Sequence, residues 1–286
     1  MENMNLKDKG RFYQKRRDYL IDPDKYILAH IDGRSFSRMV KNKFEKPFDD
    51  KFIEMMNQTA VYLCENVQGC QMAYTQSDEI SLLIKKNNPE GDVFFSGRLC
   101  KMQSIIASLA TAKFNQLMMV YNITKDNYFF TKEDTADTIY DIVDAVDVIT
   151  KAPLYQFDCK VWDVDNANDA MAWFLFRNID CIRNSKQQTA QTYLSHKELM
   201  GLNTDEQISI LREKTNVDWN SFDDGKKYGR FIYKVERDFV TEIANGQEIN
   251  YKRSRFEANN GFDLTIPENR EKLKNICIIL KENGDE

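Results

Sequence analysis

Two aspartates stand where apolar runs break. Asp32 follows Tyr26-Ile27-Leu28-Ala29-His30-Ile31 and precedes Gly33-Arg34-Ser35-Phe36, while Asp78 follows Tyr74-Thr75-Gln76-Ser77 and precedes Glu79-Ile80-Ser81-Leu82. A sheet can hold acidic groups rigidly at its strand ends and still keep them out of its core. The simplest use for two such carboxylates is to hold a divalent metal over a phosphate. Oxygen ligands suit Mg²⁺, which takes one or two protein carboxylates and fills its other positions with water and substrate phosphate. Asp-Gly is also a strong hairpin signal. Yet Arg34-Ser35-Phe36-Ser37-Arg38 does not alternate like a partner strand, and a glycine beside a short loop lets backbone N–H groups converge on an anion.

The elements that must position these groups follow from periodicity. Tyr26 to Ile31 is apolar on both faces and belongs inside a sheet. After Lys46-Pro47, a helix opened by Asp49 and Asp50 carries Phe52, Ile53, Met56, Ala60, Leu63 and Val67 on one stripe. Met72 and Tyr74 on one face, with Ala73 and Thr75 on the other, lead to a break at Ser77-Asp78, and Ile80, Leu82 and Ile84 return as the second arm of a hairpin. A second helix is expected from about residue 96 to 119. Arg98 and Lys101 share a face near its start, as solvated surface or, beside a triphosphate, as a clamp.

Phe157 to Trp162 reads as a further strand, followed by a helix over about 166–177. This order predicts an α+β fold, a mixed or antiparallel sheet with helices packed on one face, followed by a helical and β C-terminal extension. The polar run from Asn178 to Ser185, with Gln187, Gln188, Gln191 and Ser195-His196-Lys197-Glu198, suits either a ligand-facing surface or a solvated helix. Residues 121–151, with Asp134, Asp137, Asp141, Asp144 and Asp147, read as an inserted amphipathic helix with an acidic face. The basic N-terminal segment reads as a solvated helix or a phosphate-facing arm. A short helix from Thr204, a turn at Trp219, a basic turn at 225–230 feeding a strand, and the basic cluster Lys252 to Phe256 complete the chain.

With 286 residues, 42% hydrophobic and 30% charged, the chain can bury a substantial core. A net charge of −5 speaks against a protein that coats nucleic acid over its whole surface, though not against a local basic groove. The 6 cysteines form no CxxC pair and there are only 2 histidines, so a structural zinc site is not expected and the thiols read as reduced. No signal-like stretch or membrane-length apolar run is seen, which predicts a soluble cytoplasmic protein with no membrane association. Without linkers or repeats, residues 1–286 read as one continuous unit, with a catalytic core over 20–165 and an extension over 166–286 packed on it.

His30-Ile31-Asp32-Gly33-Arg34-Ser35-Phe36, Phe44-Glu45-Lys46-Pro47-Phe48-Asp49 and Ala73-Tyr74-Thr75-Gln76-Ser77-Asp78-Glu79 together resemble the tRNA(His) guanylyltransferase family, most closely its bacterial and phage branch of 3′-to-5′ polymerases. The likeness continues through Phe157-Asp158, residues 180–185, residues 195–199 and Lys226 to Arg230. It implies a palm-like catalytic domain and two-metal nucleotidyl transfer, in which the 3′-hydroxyl of an incoming nucleotide attacks an activated 5′ end of tRNA or tRNA-like RNA.

Carried over by motif, Asp32, Asp78 and the carbonyl of Gly33 would hold two Mg²⁺ ions, and Glu79 belongs to the catalytic motif without a ligand role. Arg34, Ser35, Phe36 and Ser37 would present N–H groups to GTP or ATP. Lys46 and Ser77 would touch phosphate, Asp49 would lie near the base, and Arg98 with Lys101 would serve the triphosphate or the RNA end. Arg183, Asn184, His196 and Lys197 are expected at the RNA 5′ end. The family also implies a homotetramer, a dimer of dimers. Eukaryotic members carry a histidine where this chain has Ile182, which favours templated 5′-end repair over dedicated tRNA(His) guanylylation. The same two carboxylates would serve a palm-fold cyclase or another nucleotidyltransferase, and a non-catalytic RNA-binding relative would need neither.

Overall fold

The computed structural model describes residues 5–15, 19–125, 146, 150–242 and 248–281. The proposed acidic insertion therefore falls almost wholly outside the described residues. At the centre stands a six-stranded sheet in the order β4-β1-β3-β2-β5-β6. Its strands are β1 (Tyr26–Gly33), β2 (Cys70–Gln76), β3 (Glu79–Ile84), β4 (Phe157–Val164), β5 (Arg230–Glu242) and β6 (Glu248–Asn260), and each of its pairings is antiparallel. The 77–78 break is the expected hairpin turn between β2 and β3.

One face of the sheet is covered by α2 (Phe36–Lys43), α3 (Asp50–Asn66) and α4 (Leu99–Lys125). Their buried side chains, among them Phe36, Met56, Leu63, Met102 and Phe114, pack on Ile27, Ala29, Ile31, Ile80 and Leu82. Asp49 starts α3, its carboxylate accepting from the amides of Lys51 and Phe52 as an N-cap does. This is the one-faced helical cover that the sequence predicts for the core.

The helix after β4 goes to the other face. Leu28, Met72, Tyr74, Leu83 and Phe231 make that face apolar as well, and α5 (Ala167–Tyr193) buries Ala170, Met171, Phe174 and Cys181 against it, joined by Leu273 of α9 (Pro267–Ile276). A sheet apolar on both faces must be covered on both. The extension also completes the sheet itself, since β5 pairs with β2.

Three boundaries differ from expectation. α5 does not stop near residue 177 but runs to Tyr193, so the polar residues 178–185 ride on a long helix. α4 begins at Leu99 rather than near Ser96, because Phe95, Ser96 and Gly97 take positive φ angles of 51°, 51° and 70°, which no right-handed helix accommodates. Finally, α2 begins at Phe36, so the segment 34–37 is a two-residue turn and a helix start, not a loop. α1 (Leu6–Lys15), α6 (His196–Leu199), α7 (Thr204–Thr215) and α8 (Asp224–Tyr228) complete the helices.

Candidate active site

Asp32 is the penultimate residue of β1. In register it faces Glu79 of β3 on one side and Asp158 of β4 on the other, so three carboxylates stand in a row across neighbouring strands. Directly opposed side chains lie about 5 Å apart at Cβ. Asp78 joins them from the hairpin turn, where the Gly33 amide donates to its backbone carbonyl at 3.2 Å. That bond ties the end of β1 to the tip of the hairpin and fixes the two sequence-distant aspartates together.

The electrostatics are those of carboxyl groups crowded together and partly withdrawn from water. Burial raises the Asp32 carboxyl above its ordinary value, and the neighbouring Asp158 raises it further; the Gly33 amide, Lys160 and Arg177 act against the rise. Burial likewise raises Asp78, with a smaller push from Asp32, opposed by the Ser77 hydroxyl and the residue's own amide. Desolvation and like-charge proximity both disfavour the ionised pair.

The donor set fits Mg²⁺. Asp32 and Asp78 offer oxygen, and among the described residues no three acidic, histidine or cysteine side chains close into a preformed cage. Mg²⁺ needs no such cage: one or two carboxylates suffice when phosphate and water supply the rest.

Beside the carboxylates, Ser35 takes a left-handed conformation (φ 60°) and starts α2 without capping it by its side chain. The first amides of a helix have no intrahelical partner and favour anions, so those of Phe36 and Ser37 are suited to phosphate. The Phe36 side chain is not: it is 1% exposed, packed among Phe52, Phe114, Tyr155 and Phe157. Arg34 is exposed, but its amide donates to the Gln156 carbonyl at 2.9 Å and its guanidinium to Gln156 Oε1 at 3.0 Å.

A small cavity of about 80 Å³ opens next to the hairpin turn, walled by Pro47, Asp49, Ser77, Asn184, Lys226 and Arg230 among others. It gathers residues from four separate parts of the chain. Lys46 is exposed beside Pro47 on its rim. Asp49 lines it, its two oxygens accepting from the Glu45, Lys51 and Phe52 amides; these bonds fix the carboxylate in the wall.

Other expected residues are placed apart. Arg98 and Lys101 stand at the start of α4, Arg98 bridging to Leu20, whereas Phe114 of the same helix packs on Phe36 beside the site. At 1.5 Å per residue, roughly 20 Å of helix separates them from Phe114. Arg183 and Asn184 lie by the cavity, both bonded to Asp180. His196 and Lys197 are exposed on α6, beyond the far end of α5.

Glu79 is occupied. Its Oε2 meets the guanidinium of Arg177 and accepts from Gln76 Nε2 at 2.8 Å. Sequence reasoning gives neither Arg177 nor Asp158 a place in the site. Asp158 enters it only as part of the Phe157-Asp158 likeness and as an acid one residue into a strand. For Arg177 the signal is sharper, since it continues the apolar stripe Ala170-Phe174-Cys181 of α5, where a charge must find a partner.

The chain that carries these residues is similar to known proteins in sequence and in fold. The family model described as tRNAHis guanylyltransferase matches residues 8–164, more than half of the chain. An uncharacterised protein of Acanthamoeba polyphaga mimivirus is 27% identical over 81% of this chain and 78% of its own. The tRNA(His) guanylyltransferase of Neurospora crassa is 26% identical over 74% and 67%. The solved structure of a bacterial tRNA(His) guanylyltransferase-like protein in complex with ATP superposes with a TM-score of 0.74 at 25% identity, covering 98% of this chain and all of that one. With Asp32, Asp78 and Glu79 inside the matched region and the fold shared over nearly the full length, the chain belongs to the tRNA(His) guanylyltransferase family of nucleotidyltransferases.

Proposed function

We propose that this chain is a Mg²⁺-dependent nucleotidyltransferase that extends the 5′ end of tRNA or tRNA-like RNA in the 3′-to-5′ direction, with GTP and ATP among its substrates. The observation that carries this reading is the joining of Asp32 and Asp78 by the Gly33–Asp78 hydrogen bond next to the uncapped start of α2. Asp32 and Asp78, with the Gly33 carbonyl, would hold the metal, and Mg²⁺ bound there would supply charge neutralisation at the triphosphate and a lower pKa for the attacking hydroxyl. The α2 amides and Ser77 orient phosphate oxygens. The cavity beside Ser77 receives a nucleoside, and Arg183 and Asn184 meet the RNA end. Ile182, where eukaryotic relatives have histidine, favours templated repair over guanylylation of tRNA(His) alone.

The test is a 5′-extension assay on a tRNA lacking its first nucleotide, carrying a 5′-triphosphate or 5′-monophosphate, with all four nucleoside triphosphates and Mg²⁺. The parent is expected to add the template-matched nucleotide. Asp32→Ala and Asp78→Ala are expected to lose several kcal/mol of transition-state stabilisation, about a thousandfold or more in rate. Addition of G to tRNA(His) only would move the reading to dedicated guanylylation, and no extension from either end would overturn it.

A further inference from the structure

We propose that Arg177 is the positioning residue of the carboxylate site, and that Glu79 acts as its handle on the hairpin turn, not as a metal ligand. The inference rests on the metal-dependent transfer proposed above. Arg177 lies on α5, 7% exposed, and one guanidinium nitrogen bridges Glu79 Oε2 and Asp180 Oδ2, the latter at 3.2 Å. Its guanidinium also lies 5.9 Å from the Trp173 ring centre and 5.4 Å from that of Phe176, against one side of this ring pair, whose centres are 5.7 Å apart.

Glu79 is the residue after Asp78 and the register partner of Asp32. Whatever holds Glu79 therefore sets the height of the Asp78 turn against α5 and the lateral place of Asp32. Arg177 also removes a repulsion. Without it, the Glu79 carboxylate would face Asp32 uncompensated, with Asp158 on the other flank, and like charges directly opposed are destabilising. Arg177 reaches the cavity side too: Asp180 accepts from Arg183 and, at 3.2 Å, from Asn184 Nδ2, and Asn184 lines the cavity. One buried cation thus links the metal-binding turn to the groups facing nucleotide and RNA.

The test reads binding, not turnover. A fluorescent GTP analogue is titrated with Mg²⁺ against the parent, Arg177→Met, Glu79→Gln, the double variant and Asp78→Ala. Arg177→Met is expected to raise the Mg²⁺ midpoint about tenfold, because Glu79 loses the contact that holds the Asp78 turn and Asp32 in place, a loss of geometry that outweighs the attraction of the freed carboxylate for the cation. Glu79→Gln, which weakens the same contact from the other side, is expected to shift the midpoint in the same direction, and the double variant is expected to shift it no further than Arg177→Met alone. Where Arg177→Met does not fold, Arg177→Lys, which keeps the charge but lacks the planar guanidinium that packs on the rings and meets both carboxylates, is expected to show the same direction of change. A folded Arg177 variant with the parental midpoint, or a double variant whose shift is the sum of the two single ones, overturns the proposal; a lowered Tm with the midpoint unchanged would mark Arg177 as structural only. If the parent shows no Mg²⁺-linked binding that Asp78→Ala abolishes, the metal-dependent function itself fails, and the positioning role with it.

Discussion

Asp32 and Glu79 face one another across the β1–β3 pairing, and of the two only Glu79 has an ion-pair partner among the described residues. The acid with the cation is held in place by Arg177, while Asp32 carries its charge with no ion pair among the described residues.

Removing a raised carboxyl should stabilise the metal-free protein. Burial holds the folded pKa of Asp78 above its ordinary 3.8, so the folded state binds that proton more tightly. The contribution favours folding below the unfolded value and is lost as pH rises through the folded one. Asp78→Asn is therefore expected to raise Tm at neutral pH in EDTA, with the gain shrinking as pH falls into the carboxylate range. Thermal unfolding across that range measures it, and a Tm below the parent's at neutral pH would contradict it.

His30 should act in the opposite sense. Burial is the main cause that brings its pKa to about 4, with Arg177 and Lys160 adding to the fall; its ring pairs with Ser81 Oγ at 3.3 Å and packs edge-on against Trp173. A depressed pKa gives stability that is present above the unfolded value of 6.5 and lost as pH falls through the folded one. His30→Gln is expected to flatten the loss between those limits, by an amount of order 1 kcal/mol after discounting for partial exposure. Urea unfolding at neutral and mildly acid pH compares the two.

Ser77 separates backbone from hydroxyl. Its φ of 48° is left-handed, a strain of roughly 1–2 kcal/mol for a residue with a side chain, and its Oγ donates to Asp78 Oδ1 at 2.9 Å. Ser77→Gly is expected to keep a near-parental Tm, relief of strain offsetting the looser unfolded chain. Ser77→Ala should lose about 1 kcal/mol. Both should raise KM for the nucleotide to a similar degree, about tenfold for a charge-assisted bond; a change confined to one variant would assign the effect to the backbone.

Gly33 has no room for a side chain. A Cβ there would meet the Phe36 ring at 2.6 Å, and Phe36 is hemmed in by four other rings. Gly33→Ala is expected to destabilise by about 1–3 kcal/mol and, by shifting the start of α2, to lower kcat/KM more than Tm alone would predict. Turnover assayed well below the variant's Tm distinguishes the two losses.

The sequence by itself determined the local pieces. Asp32 and Asp78 sit at strand ends because apolar alternation stops there, Asp49 starts a helix because its carboxylate can take the first amides, and the order of elements fits the α+β core. These are effects of neighbours within a few residues, and periodicity records them. Register, facing and distance were decided only by tertiary structure. That Asp158 stands beside Asp32, that Arg177 reaches Glu79 and that α5 covers the second face all depend on pairings between residues far apart in sequence. Such pairings follow from the joint burial of both sheet faces, which no single segment encodes.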